Sequence, residues 1–159
     1  MIVVVDACTL INLANGEVLS KVLQLRGFFF HVSSVVRHES KSIAEAIDIA
    51  VANGRLTLLD DTLISVSDFI RAKKELKLDD GETECILAAQ ALGCVVASDD
   101  GAARKSICEI FGKDRLSGSI SLLRHAIADG AIDRKQAFFA YSLMRERGGF
   151  LPSLTKNDF

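Results

Sequence analysis

Six carboxylic acids stand at positions where they could do chemistry together: Asp6, Glu39, Glu82, Glu84, Asp99 and Asp100. Asp6 follows the β-branched run Ile2 to Val5, and Asp99-Asp100 follow the apolar run Cys94 to Ala97, so these acids sit where strands would end. Glu82 and Glu84 lie just behind Asp79-Asp80-Gly81, a turn-forming tripeptide ahead of a helix-compatible stretch that reaches Gly93. Hard carboxylate oxygens gathered without histidine or cysteine suit Mg²⁺ or Mn²⁺ rather than zinc. Left without a cation, acids held together repel one another and are pushed toward protonation. A divalent ion removes that conflict, positions a phosphodiester and generates hydroxide from bound water, which is nuclease chemistry.

These acids need elements to position them. Ile2 to Val5 is apolar at every position, as expected of a strand buried on both faces of a parallel sheet. Thr9 to Leu13 and Val18 to Leu25 read as short helices, and Phe28 to Val32 as a second strand. From Val35 the apolar spacing predicts one helix to about Val51, with Glu39 near its start and a stop at Asn53-Gly54. Leu56 to Leu59 is a third strand, and Asp60-Asp61-Thr62 offers a cap for a helix through about Leu76. After the Cys94 strand come a helix from Ala102 to Phe111, a short strand over Asp114 to Ser117, and helices over Ser119 to Ala128 and Asp133 to Arg147. The alternation predicts an α/β fold with a central, mostly parallel sheet in one domain over residues 1–150, followed by an irregular tail over 151–159. In such sheets ligands gather outside the carboxyl ends of the strands, so Asp6 and Asp99-Asp100 meet there if their strands are neighbours.

Composition narrows the choice of partner. A hydrophobic fraction of 49% with one proline, Pro152, describes a compact, regular chain. The net charge of −2, from 19 basic and 21 acidic side chains, exerts no overall pull on nucleic acid, so such binding must rely on a local patch or on metal ions. Arg104 and Lys105 follow the acidic strand end and are the candidate phosphate contacts, whereas Arg71, Lys73, Lys74 and Lys77 read as a solvated helix face. The four cysteines fit neither paired zinc-ligand spacing nor a small disulfide framework and read as free thiols. No apolar run approaches the ~20 residues of a membrane span, and no basic leader precedes Asp6, so no membrane contact and a cytoplasmic location are expected.

Short motifs follow one another along the chain: Asp6-Ala7-Cys8-Thr9-Leu10-Ile11, Val36-Arg37-His38-Glu39, Gly81-Glu82-Thr83-Glu84-Cys85-Ile86, Ser98-Asp99-Asp100, and Leu116-Ser117-Gly118-Ser119 through Leu123. In this order they resemble the PIN-domain family of metal-dependent ribonucleases, in its VapC-like branch, over roughly Ile2 to Ile132. The resemblance implies a three-layer α/β/α sandwich and an Mg²⁺- or Mn²⁺-dependent endoribonuclease that hydrolyses RNA with metal-activated water. It implies Asp6, Glu39, Glu84 and Asp100 as the catalytic quartet, Glu82 and Asp99 as alternate metal ligands, and Thr9, Asn12 and Ser119 in support. An antitoxin protein and a homodimer are the partners it implies. Glu82 and Glu84 project nearly oppositely on a helix that turns about 100° per residue, so one faces the metal; the resemblance favours Glu84. Cys8 departs from the family's usual Ser, Thr or Asn, and a thiol is a weaker donor for which Thr9 or Asn12 could substitute. Ser119 stands where the family has threonine and keeps the hydroxyl.

Plainer readings exist for each acid alone. Asp6 could be a helix cap, Glu39 a first-turn acid and Asp99-Asp100-Gly101 an ordinary strand exit. The rival functions are an inactive PIN domain serving as an RNA- or protein-binding scaffold, kept open by Cys8, and a receiver-like signalling module. The latter wants a lysine at a later strand end, where Ser117-Gly118-Ser119 offers none. A haloacid-dehalogenase-type phosphatase wants a second aspartate two residues after Asp6, where Cys8 stands.

Overall fold

Val3, Val4 and Val5 are each no more than 1% exposed, and a strand so dry on both faces must have helices above and below it. They belong to β1 (Ile2–Val5) at the centre of a computed structural model that describes residues 1–159. Around it lie β2 (Phe29–Val32), β3 (Leu56–Leu58), β4 (Val95–Ala97) and β5 (Leu116–Ser117), in the order β3-β2-β1-β4-β5 and all parallel. Parallel neighbours need crossovers, and the crossovers here are helical. They are supplied by α1 (Ala7–Asn15), α2 (Leu19–Val22), α3 (Ser34–Glu39), α4 (Ala44–Ala52), α5 (Val66–Leu76), α6 (Asp80–Leu92) and α7 (Gly101–Phe111). The chain ends with α8 (Ser119–Ala128) and α9 (Arg134–Glu146). Helix α6 packs on β1 and β4 and against α3 and α5, while α1 and α8 pack against α9. The α/β sandwich with a parallel sheet is the architecture the strand and helix alternation predicts. No helix is long and apolar enough to cross a membrane.

Three local expectations need correction. The single helix predicted from Val35 to Val51 is broken into α3, a 3-10 turn over Lys41–Ile43, and α4. Ser40 breaks it: its hydroxyl donates to the Val36 carbonyl at 2.8 Å and its ψ of 38° leaves the helical path. Glu39 therefore ends a short helix instead of starting a long one. The helix predicted to be capped by Asp60-Asp61-Thr62 begins only at Val66, capped by Ser65, whose hydroxyl accepts from Asp68 N–H at 3.1 Å. Asp60 closes a local turn on Thr62 instead, accepting from its amide at 2.8 Å and its hydroxyl at 2.7 Å. The strand predicted over Asp114 to Ser117 is mostly a 3-10 turn, Lys113–Arg115, with Leu116–Ser117 alone pairing on β4.

The tail after Phe150 has one regular piece, a 3-10 turn over Lys156–Asp158, and it folds back on the body. Phe159 is buried against Phe138 and Tyr141, and the Tyr141 hydroxyl donates to the Pro152 carbonyl at 2.6 Å.

Candidate active site

The register that pairs Val5 with Ala97 sets Asp6 beside Ser98 at the carboxyl edge of the two central strands. Asp6 is 3% exposed and caps α1, accepting from Ala7 N–H at 2.6 Å through Oδ1. Its Oδ2 accepts from the Ser98 hydroxyl at 2.7 Å and from the Cys8 thiol at 3.0 Å. The Cys8 sulfur in turn accepts from Asp99 N–H at 3.2 Å. Burial, with the Asp6 charge and its hydrogen bond behind it, pushes the Cys8 thiol up to about 12, so it stays protonated and remains a donor. The thiol itself thus holds Asp6, the task in which Thr9 or Asn12 could stand in for it. The buried hydroxyl of Thr9 has no hydrogen-bond partner.

Ser98 was missed as a site residue. Besides donating to Asp6, its hydroxyl accepts from Asp100 N–H at 3.2 Å and so ties the two strand exits together. Its position directly between a dry strand and two aspartates was the available signal. Asp100 caps α7, its Oδ1 accepting from Ala102 N–H at 2.8 Å and Ala103 N–H at 2.9 Å.

Asp99 is held differently. Its Oδ2 accepts from Asn12 Nδ2 at 2.8 Å and from the Ser119 hydroxyl, and its Oδ1 accepts from Ser119 N–H at 2.9 Å. Gly118 permits this approach, since a Cβ there would stand 2.6 Å from Asp99 Oδ1 and 2.9 Å from Arg104 Nη1. Arg104 Nη1 donates to the carbonyls of Ser98 at 2.7 Å and Ser117 at 2.8 Å, so this guanidinium edge knits β4 to β5 instead of pointing at solvent for a phosphate. Lys105 lies on the outer face of α7, 4.0 Å from Glu109.

The remaining acids gather at the start of α6. Glu39 Oε1 accepts from Gly81 N–H at 3.2 Å, and a Cβ at residue 81 would push that carboxylate away, so glycine here is what lets Glu39 lie on the helix start. Glu82 reaches back to accept from Asp79 N–H at 3.1 Å. Burial raises Glu82 to about 7, and the charges of Asp100, Asp6 and Asp79 add to the rise. Burial likewise raises Asp6, with Asp100 contributing, and raises Glu39, with Asp6, Asp79 and Asp80 contributing. Glu84 Oε2 is buried without a hydrogen-bond partner. Beneath them lies the fully buried thiol of Cys85, pushed up by burial and by the fields of Asp6, Glu84, Cys8 and Glu39.

None of Asp6, Glu39, Glu82, Glu84, Asp99 or Asp100 forms an ion pair with a basic side chain; the pair at this end of the molecule is Lys73 with Asp80, at 2.6 Å. The carboxylates of Asp6, Glu39, Glu82 and Asp100, whose charges meet at this edge, and the partnerless Oε2 of Glu84 on the same helix start are hard oxygens, the donor chemistry a divalent cation fits. The fit is of charge and donor type, because no three such side chains stand close enough to hold an ion as they are. A cavity of about 320 Å³ opens on this edge, lined in part by Cys8, Asn12, Asp99 and Asp100. A larger hollow of about 690 Å³ between α1, α2 and α4 is lined by none of the six acids.

No curated protein and no solved structure matches the chain. A family described as a PIN domain matches residues 2–155, nearly the whole length and every acid of the cluster, and by that match the chain belongs to the PIN-domain family.

Proposed function

We propose that this protein is a divalent-metal-dependent endoribonuclease that hydrolyses RNA phosphodiester bonds at the carboxyl edge of β1 and β4. One observation carries the reading: Asp6, Glu39, Glu82 and Asp100 come from four separate parts of the chain and have no basic partner, and the charge of Asp6 or Asp100 helps to raise each of the other carboxyls, Asp6 itself by Asp100, Glu39 by Asp6 and Glu82 by both. PIN domains are a nuclease-type family, which agrees with that chemistry. Asp6, Asp100 and one or both of Glu82 and Glu84 are the ligands in this reading, and Asp99 supports them through Asn12 and Ser119. Bound Mg²⁺ or Mn²⁺ would activate the attacking water and stabilise charge on the leaving oxygen. The chain's own part is to hold Asp6 Oδ2 in place with Ser98 and Cys8, and to keep Glu39 on the Gly81 amide as ligand or water-orienting base. The toxin of a toxin–antitoxin pair, working as a cytoplasmic homodimer, is the setting the family likeness suggests; Ile49, 55% exposed beside the large hollow, is apolar surface for such a partner.

The test is Mn²⁺-dependent cleavage of mixed RNA by the wild type beside Asp6→Asn and Asp100→Asn. Both variants should lose at least about a hundredfold in rate while keeping the native far-ultraviolet spectrum, a loss in the range of a removed catalytic group. Equal cleavage by all three means a contaminant, and a folded wild type that cleaves nothing would turn the reading to a binding scaffold.

A further inference from the structure

Phe139 is 62% exposed on a helix whose other aromatic side chains are packed away: Phe138 and Tyr141 close on each other and on Phe159. It lines a cavity of about 380 Å³ between α2 and α9, a volume in the ~300–1,000 Å³ range of small-molecule sites. Val18, Ile132 and Ala140 give that cavity an apolar lining. It stands apart from the acid edge, because Gly16 and Glu17 follow the last turn of α1, roughly 13 Å along that helix from Asp6.

The walls are locked together. Gly16 packs on α9 so closely that a Cβ there would stand 2.7 Å from Met144 Cε. Arg147, at the end of α9, donates to the Asn15 carbonyl at 2.7 Å and to Glu17 Oε1 at 2.9 Å. These bonds hold Glu17 at a φ of 58°, a left-handed conformation that L side chains rarely adopt. The cavity is therefore formed before any ligand arrives, and little ordering is left to oppose binding.

Its charge is unbalanced. Lys21 comes from α2 and Lys135 from α9, and neither forms an ion pair. Glu17 is the one acid in the lining, and Arg147 already answers it. Two ammonium groups that line one hollow without a carboxylate partner suit a phosphate, which lysine meets as a point charge. The aromatic face beside them takes a flat ring. Gln136 uses its Oε1 on Asp133 N–H and keeps its amide donors for the edge of such a ring.

We propose that this cavity binds a nucleoside monophosphate, with the base on Phe139 and the phosphate between Lys21 and Lys135. The assignment is independent of the nuclease reading, since no acid of the carboxyl edge lines the cavity.

AMP is the probe, followed by equilibrium dialysis in EDTA against the wild type, Phe139→Ala, the double variant Lys21→Gln/Lys135→Gln, and Asp6→Asn. Phe139, Lys21 and Lys135 are exposed, so their variants keep the fold. One AMP per chain is expected, bound about tenfold more weakly by Phe139→Ala, about a hundredfold more weakly by the lysine variant, and equally by Asp6→Asn. Adenosine and inorganic phosphate should each displace AMP only at concentrations about tenfold or more above that of AMP itself. No binding to the wild type, or binding that neither Phe139→Ala nor the lysine variant weakens, overturns the site. Loss confined to Asp6→Asn would move the nucleotide to the acid edge, and inorganic phosphate as effective as AMP would reduce the cavity to an anion site. A 5′-phosphorylated oligonucleotide that competes as well as AMP would make the occupant an RNA end. Each of these three overturns the assignment.

Discussion

The two halves of the carboxyl edge are built to opposite rules. On the β5 side, Asp99 receives donors from Asn12 and from both the amide and the hydroxyl of Ser119, and Arg104 binds two carbonyls beside it. On the α6 side, Asp6, Glu39 and Glu82 are raised by burial and by neighbouring aspartates, and no basic side chain pairs with them. Asp6 shows that donors alone do not settle the matter, because it stays raised with Ala7, Cys8 and Ser98 all donating. The first half is a frame whose hydrogen bonds are complete. The second holds uncompensated charge, the kind of local destabilisation that proteins retain at sites that bind or react.

If that contrast is right, substitutions in the two halves move activity and stability in opposite directions. The largest effect is expected in the charged half, where Glu82→Gln should lower Mn²⁺-dependent cleavage about a hundredfold while leaving denaturant stability in EDTA equal or higher. Glu84→Gln measured beside it decides between the two glutamates: a loss confined to Glu84→Gln would assign the metal to the orphaned Oε2 and leave Glu82 as a helix cap.

In the framed half, Asp99→Ala should cost about 2 kcal/mol in urea unfolding, because Asn12 and Ser119 are left with buried donors unanswered. An unchanged midpoint would mean that Asp99 is not structural and that the two halves are alike.

The smallest effect is the pH dependence of the metal-free protein. Glu82 titrates at about 7 in the fold against an ordinary value of 4.5, so between those pH values the native state keeps a proton that the unfolded chain has released. Asp6 and Glu39 are displaced in the same direction. Stability from these groups is therefore full at low pH and is lost as pH rises through about 7. In EDTA, Tm should fall by a few degrees from about pH 5 to about pH 8, an effect reduced by solvent screening because Glu82 is only half-buried. Mn²⁺ should restore it at the upper pH; a Tm that ignores Mn²⁺ there would count against a cation in this half.

Much of this was legible before any coordinates. Ile2 to Val5 announced a central strand because no position in it could face water, and Asp6 and Asp99-Asp100 announced strand ends because they interrupt such runs. Ser119 to Ala128 was bounded to the residue by its glycine before and its aspartate after. The helix carrying Glu82 and Glu84 likewise stood out between Asp79 and Gly93. These are local signals, written in the spacing of neighbours a few residues apart.

What the local pattern could not carry was which distant pieces meet. That β1 lies next to β4, and so Asp6 next to Ser98, depends on pairing across 92 positions. Glu39 reaches the Gly81 amide because α3 packs against α6, and α3 ends there because the Ser40 hydroxyl turns on its own helix, a competition the apolar spacing does not record. Arg104 faces two carbonyls because β4 and β5 end together beside α7, and Cys8 serves as a donor because burial keeps its proton on. Sequence alone determined the acids, their order and the elements that bear them. Their convergence, and the division of that edge into a hydrogen-bonded frame and an unanswered charge, were decided by the tertiary structure, since burial and long-range pairing exist only once the chain is folded.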